Sequence, residues 1–195
     1  MEKETIKERF LGTIFGQAVG DALGLSTEFM SKQEVDQFYP NGIEDYSQIV
    51  QDDHRRRWQR GDWTDDTDMM LCILDSFVAC QKVDTLDIAR RFKEWMMNGG
   101  MGIGRHTYCL DDEKSMGYTL RTLGAALWAY WHATSYKEGI LKIVLSGGDA
   151  DTNVAVAGAI LGAKFGICHI PEEWKDGLLY ASMLHNKVQE FYAMV

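Results

Sequence analysis

Proline is nearly missing from this sequence: Pro40 and Pro171 are its two occurrences in 195 residues. Each proline removes a backbone donor and crowds the preceding turn, so its scarcity leaves long helices uninterrupted. The apolar–polar alternation that marks half-buried strands is nearly absent as well. The four cysteines, Cys72, Cys80, Cys109 and Cys168, form no C-x-x-C pair. Cys72 and Cys80 stand among apolar residues at helical spacing and read as buried, reduced thiols, which points to a cytoplasmic protein. His54, His132, His169 and His185 are scattered without ligand spacing and read as ordinary surface or core residues.

Basic charge is also short. A formal charge of −9 and a pI near 5.0 argue against nucleic acid as a partner, because a phosphate backbone calls for a basic face. Arg55, Arg56 and Arg57 with Arg60 form the one basic run, which reads as a solvated loop beside Asp52 and Asp53, with phosphate binding as the lesser alternative. No apolar run is long enough to span a bilayer: Phe10 to Leu25 is too short and is broken by Gln17 and Asp21. Met1 to Arg9 is charged and carries no signal-peptide pattern, so no membrane segment is expected. With 46% hydrophobic residues, residues 1–195 suffice for one domain with a sizeable core.

What is abundant is apolar spacing of three and four, the signature of packed helices. The first helix is expected from about Thr5 to Leu23, with Ile6, Phe10, Ile14, Ala18 and Ala22 as its stripe. Gly12, Gly16, Gly20 and Gly24 share one side of it. Each glycine costs a helix about 1 kcal/mol, so a neighbouring helix is expected to approach closely there. Gln37 to Asp62 reads as a long irregular connection. A second helix carries Met69, Met70, Ile73, Leu74, Phe77 and Val78 inward. A third runs from about Thr85 to Met97, and Gly99, Gly100, Gly102 and Gly104 then make a turn. Helical spacing resumes from Met116 to Ala133, from Ile140 to Leu145, and from Asp151 through Lys164. Pro171 marks a further helix start, and the last helix includes Met183, Leu184 and Val188. The fold class is all-α, a compact orthogonal helical bundle.

Two short acidic clusters carry the chemistry. Thr64-Asp65-Asp66 and Asp149-Ala150-Asp151-Thr152 each combine carboxylates with a threonine hydroxyl, an all-oxygen set suited to magnesium, manganese or calcium. Taken singly, each cluster reads first as a helix start, where Thr and Asp are ordinary caps. Taken together they favour a shared ion site. Gly147 and Gly148 would let the backbone of the second cluster approach a ligand, and four aspartates gathered without a cation would have raised pKa values.

These segments resemble the ADP-ribosylglycohydrolase family. The resemblance rests on Phe10-Leu11-Gly12 through Gly16-Gln17-Ala18-Val19-Gly20-Asp21-Ala22-Leu23-Gly24 to Glu28, on Gly61-Asp62-Trp63-Thr64-Asp65-Asp66-Thr67, and on Gly147-Gly148-Asp149-Ala150-Asp151-Thr152-Asn153. It extends through Gly117 to Trp128 and Ile170 to Trp174. It implies a central site for two divalent cations, Mg2+ or Mn2+: Thr64, Asp65 and Asp66 on one ion, Asp149 and Thr152 on the other, and Asp151 bridging. Glu28 matches the family acid beside the metals, so Glu28, Asp65 and Asp151 are the implied catalytic residues. Asp21 is expected to make a buried hydrogen-bonding contact behind the ligands.

The chain departs from the family in its middle. Members carry a central Gly-Asn-Gly segment followed by Met-Arg that helps enclose ADP-ribose, whereas here Gly102 to Thr107 passes directly through Asp111-Asp112-Glu113 to the family pattern near Ser115. Arg105, His106 and Tyr108 are candidates to replace the lost contacts, by bidentate pyrophosphate binding and by stacking on adenine. A solvated glycine-rich turn is the alternative. With Gly147 and Gly148 they are the candidate substrate-binding residues.

The expected function is metal-dependent hydrolysis that frees ADP-ribose from a modified protein side chain, arginine first, or from a small ADP-ribosyl compound. The alternative is a non-catalytic module that binds ADP-ribose or a nucleotide through its metals, or a structural relative. Oligomeric state stays open.

Overall fold

The computed structural model describes residues 2–101 and 116–194. Nine α-helices and no strand occur among the described residues. They are α1 (Glu2–Gly24), α2 (Lys32–Phe38), α3 (Asp65–Cys80), α4 (Thr85–Met97), α5 (Met116–His132), α6 (Tyr136–Val144), α7 (Ala150–Phe165), α8 (Glu172–Asp176) and α9 (Ala181–Tyr192). This is the all-α class expected.

The bundle is organised on α1 and α7, which lie antiparallel with their backbones touching. Gly12 faces Gly162, Gly16 faces Gly158, Gly20 faces Val154 and Gly24 faces Ala150. A Cβ at Gly16 would sit 2.2 Å from the carbonyl oxygen of Gly158, and one at Gly12 would sit 2.3 Å from that of Gly162. Neither distance is possible, so the four-residue glycine period has the packing reason the sequence implied. Ala18, Val19, Ala22 and Leu23 of α1 and Val154, Ala157 and Leu161 of α7 are fully buried around this contact. The buried Tyr136 hydroxyl donates to the Gly16 carbonyl at 2.8 Å, tying the start of α6 to the same backbone.

The connection from Tyr39 to Asp62 contains two short 3-10 turns, Tyr46–Gln48 and Arg55–Arg57, and is pinned by aromatic residues. Tyr46 donates through its hydroxyl to the Trp174 carbonyl at 3.0 Å, while the buried Trp174 indole donates to the Glu44 carbonyl at 2.5 Å. Helix α2 precedes this connection and begins with a reciprocal Ser31–Glu34 capping box, which the sequence reading did not place.

Three burial expectations change. Ile73 is 45% exposed and Leu71 takes its place in the core of α3, because the buried stripe runs through Thr67, Leu71 and Leu74. Ile6 is exposed beyond the reach of the α7 contact. Cys72 and Cys80 are free thiols but only half-buried, and Cys168 is exposed. Pro171 stands at the cap of α8 rather than inside its first turn. Among the described residues no helix is long and apolar enough to cross a membrane.

Candidate metal centre

Asp21 sits on α1 one turn before the glycine contact ends, and it is fully buried. Its carboxylate accepts from the Thr64 hydroxyl at 2.8 Å and the Thr67 hydroxyl at 2.6 Å, and from the backbone N–H groups of Thr64 (3.1 Å) and Thr67 (2.9 Å). Thr64 is the N-cap of α3 in extended geometry, yet its hydroxyl makes no cap bond within its own helix. A carboxylate from α1 does the capping instead. Because the hydroxyl proton of Thr64 points to Asp21, its lone pairs are directed elsewhere. Burial and the charge of Asp66 push Asp21 well above the ordinary carboxylate range, opposed by the hydrogen bonds from the Thr67 and Thr64 hydroxyls and the Thr64 N–H. The buried hydrogen-bonding contact expected of Asp21 is the one the structure shows.

The second cluster arrives at the start of α7. Gly147 and Gly148 both adopt positive φ, 70° and 77°. A Cβ at Gly147 would meet the Met30 carbonyl oxygen at 2.4 Å, whereas the space beside Gly148 is open. Gly148 donates to Met30 at 2.9 Å and accepts from the Phe29 N–H at 2.6 Å. This two-way backbone pairing brings the segment after α1, and with it Glu28, against the α7 cluster. Asp149 is the N-cap of α7, and Thr152 donates through its hydroxyl to Asp66 Oδ2 at 3.1 Å.

The clusters meet. One carboxylate oxygen from each of Asp65, Asp66 and Asp151 lies within 4.8 Å of the others. Asp151 is buried, and its Oδ1 has no hydrogen-bond partner among the described residues. Burial and the neighbouring Asp65 charge push Asp66 up to about 7. Burial, then the charges of Glu28 and Asp66, raises Asp151 well above its ordinary value. A buried carboxylate oxygen without a donor, surrounded by like charge, is costly unless a cation neutralises it. The donor set is oxygen only, so the residues present fit a hard divalent cation.

Glu28 is 7% exposed and precedes Phe29, whose φ of 60° is left-handed. Glu28 Oε2 pairs with His54 Nε2 at 2.6 Å. The His54 ring sits between Phe29 and Trp58, at centroid distances of 5.1 and 5.3 Å. Next to it, Arg55 is buried: its guanidinium donates to the carbonyls of Leu25, Ser26 and Glu28 and pairs with Asp52. This corrects the reading of the arginine run as a solvated loop, since Arg55 staples the turn that carries Glu28. Arg56 remains exposed against Asp53. His54 and Arg55 were missed as site residues because they lie 26 and 27 positions from Glu28, a separation that no local spacing signals.

Asp65, Asp66 and Asp151 are thus brought together, Thr152 joins them through Asp66, and Thr64 is fixed at Asp21. Asp149 acts on Asp66 through its charge. Arg105, His106 and Tyr108 lie outside the described residues.

The sequence model of the family described as ADP-ribosylglycohydrolase matches residues 2–111 and 106–194. This chain belongs to the ADP-ribosylglycohydrolase family. The ADP-ribosylarginine hydrolase Tri1 of Serratia proteamaculans (strain 568) is 36% identical over 84 residues, which cover 43% of this chain and 23% of that protein. Tri1 of Pseudomonas putida (strain GB-1) is 34% identical over 82 residues, 42% of this chain and 22% of the relative. The chain therefore spans less than a quarter of these two hydrolases. The ADP-ribosyl-[dinitrogen reductase] glycohydrolase of Rhodospirillum rubrum is 23% identical over 284 residues, 91% of this chain and 92% of that protein. That span exceeds the 195 residues here, so this family member lacks counterparts to internal segments of the R. rubrum protein. A chain solved in an ADP-ribosylglycohydrolase-related protein complex superposes with a TM-score of 0.73 at 21% identity, covering 98% of this chain and 99% of its own length, which shows the shared fold.

Beside the acidic centre this ADP-ribosylglycohydrolase-family chain has a pocket of about 410 Å³ that reaches Thr64. Trp58, Trp63, Trp95 and Tyr180 supply its aromatic walls, and Asp62 and Asp68 its charge. The indole N–H groups of Trp63 and Trp95 donate to the two oxygens of Asp68, at 2.9 and 2.8 Å. Burial pushes Asp62 up to about 6.

Proposed function

We propose that this protein is a metal-dependent glycoside hydrolase that removes ADP-ribose from a modified protein side chain, arginine first. The observation that carries the proposal is the convergence of Asp65, Asp66 and Asp151 from two helices, with Asp151 Oδ1 buried and without a partner among the described residues. Family membership and the names of the Serratia, Pseudomonas and R. rubrum relatives support the same reaction class. One cluster of buried side chains, running from Leu11 to Val188, supports a single domain. Free thiols at Cys72, Cys80 and Cys168 fit a reducing cytoplasm.

In this reading Asp65, Asp66, Asp149 and Asp151 with Thr64 and Thr152 would hold two divalent cations, magnesium or manganese. Bound there, the cations supply charge neutralisation, a grip on ribose hydroxyls and a water of lowered pKa. Glu28 takes the proton of the attacking water, and His54 fixes the carboxylate orientation through Nε2. The water oxygen bonds to the ribose anomeric carbon, the carbon–nitrogen bond breaks, and the proton ends on the leaving guanidine. Gly148, with open space where a Cβ would stand, leaves room for substrate near the start of α7.

The test is direct. Purified protein with magnesium or manganese should release free ADP-ribose from ADP-ribosyl-arginine protein, and Asp65→Ala or Asp151→Ala should abolish release together with metal binding. No turnover on arginine-, serine- or nucleotide-linked substrates rejects the hydrolase. The internal segments present in the R. rubrum relative and lacking here favour a second reading, a non-catalytic metal-dependent ADP-ribose-binding module. Calorimetric ADP-ribose binding without product would support it.

A further inference from the structure

Helix α5 turns its small residues inward and its large apolar ones outward. Thr122, Ala126 and Ala129 are buried, and the Thr122 hydroxyl donates to Asn153 Oδ1 at 2.8 Å, which holds this side on α7. Leu123, Leu127, Trp128, Tyr130 and Trp131 are exposed, Trp131 to 70%. Their spacing puts all five on the side away from the bundle. From Thr122 to Trp131 the sequence carries no charge, although the solvent side of a surface helix is ordinarily charged or polar. At roughly 150–250 Å² for each whole aromatic side chain and somewhat less for leucine, these exposures amount to on the order of 500 Å² of apolar surface. An apolar patch of that size marks an interaction site. Charge of both signs stands at its edge, where the Lys142 ammonium lies 5.7 Å from the Trp128 ring centroid and pairs with Glu138 at 2.7 Å. Lys164, beside the Tyr130 ring, is held by the carbonyls of Tyr130 and Ala133 at 2.6 and 3.1 Å.

We infer that two copies of the chain pair through this face, α5 against α5 about a two-fold axis. A chain of formal charge −9 repels its own copy over most of its surface. An uncharged helix face is where two copies approach at least cost. A two-fold contact uses one patch twice, so the total burial is about 1,000 Å², the lower bound for a specific interface. Tryptophan and tyrosine at the centre with charge kept to the edge is the residue distribution of an interface core. The edge is self-complementary as well, since the two-fold axis turns the Lys142–Glu138 pair over and offers each lysine the partner's Glu138. A phospholipid surface calls instead for free cations around the apolar face. Here Lys142 is paired and Lys164 is tied to the end of α5. The pairing does not rest on the hydrolase reading.

Sedimentation equilibrium of the full chain tests it. An interface of this size gives a monomer–dimer equilibrium in the micromolar range, so the scan runs from about 1 to about 100 µM. The mean mass should climb with concentration from 22.1 kDa towards twice that value. Trp131→Glu and, separately, Leu127→Glu should each raise the dissociation constant at least about thirtyfold. Circular dichroism should stay unchanged, because both side chains face solvent in the single chain. If Trp131→Glu loses helicity, Leu127→Glu decides. Leu86→Glu alters an exposed apolar residue of α4 and should leave association as it was. A chain that stays monomeric at every concentration overturns the pairing, and so does a dimer indifferent to the α5 variants or weakened equally by Leu86→Glu. Flotation with phosphatidylserine–phosphatidylcholine vesicles covers the other occupant: a monomeric chain that binds them and is released by Trp131→Glu also overturns it.

Discussion

Asp21 of α1 accepts the Thr64 hydroxyl at 2.8 Å, so the helix that carries half of the acidic centre is capped by a residue from another helix. The same carboxylate takes the Thr67 hydroxyl and both backbone N–H groups. Through it, the glycine contact of α1 with α7 and the orientation of Asp65 and Asp66 become one mechanical unit.

Replacing Asp21 by Ala leaves four buried donors without an acceptor. Each unsatisfied buried donor costs on the order of 1–3 kcal/mol, offset in part by water entry. The expected loss is about 3 kcal/mol in urea unfolding measured in EDTA, with weakened manganese binding in the fraction that remains folded. Wild-type stability with wild-type manganese affinity would show that the cap does not matter.

Gly16 leaves no room for a side chain, and Gly16→Ala puts a methyl group 2.2 Å from the Gly158 carbonyl oxygen. Helix propensity alone would favour the alanine by roughly 1 kcal/mol. Overpacking reverses the sign, and a net destabilisation of about 2 kcal/mol is expected by thermal unfolding. Gly124, with nothing within 4 Å of its Cβ position, is the control: Gly124→Ala should stabilise slightly. If both substitutions stabilise, the close α1–α7 contact is wrong.

Metal-free protein should grow more stable as pH falls from 8 towards 5. Asp66 has a folded value near 7 against an ordinary 3.8, so the folded state binds its proton more tightly than the unfolded chain does. The destabilisation it brings is fully present above about 7 and is relieved progressively as pH drops towards 4. Asp62, pushed up to about 6, acts in the same direction. Divalent cations compete with those protons, so the thermal shift produced by manganese should grow with pH. Scanning calorimetry in EDTA and in manganese at pH 5.5 and 8 checks both signs. A melting temperature in EDTA that rises with pH contradicts the electrostatics.

His54→Phe keeps a ring between Phe29 and Trp58 but removes the bond to Glu28. Turnover of ADP-ribosyl-arginine should fall at least about tenfold, with manganese affinity within twofold and unfolding shifted little. Unchanged turnover would remove His54 from the reaction.

Much of this was visible in the linear chain. The Gly12 to Gly24 period announces a close helix contact, and the two aspartate-threonine clusters announce carboxylates that the fold brings together. Both are local patterns, although each acidic cluster alone also reads as a helix cap, and only the pair points to a shared site. The Ser31–Glu34 capping box is equally local, yet no long apolar period follows it to mark a helix of seven residues. Ile73 was placed inward because it fits a helical period. The side of α3 that faces the core is set by Thr67 hydrogen bonding to Asp21, which the period alone does not contain. His54 and Arg55 depended on a loop folding back on the end of α1, and Arg55 looked like surface charge because its acceptors are backbone carbonyls. The aromatic pocket gathers residues from position 58 to position 183, beyond any motif.

The most direct test of the central claim is anomalous diffraction from crystals grown in manganese, recorded at the manganese edge. The account predicts peaks between α3 and α7, about 2.0–2.4 Å from carboxylate oxygens of Asp65, Asp66 and Asp151. Density with no peak there, and with Asp66 and Asp151 sharing a proton instead, would contradict it.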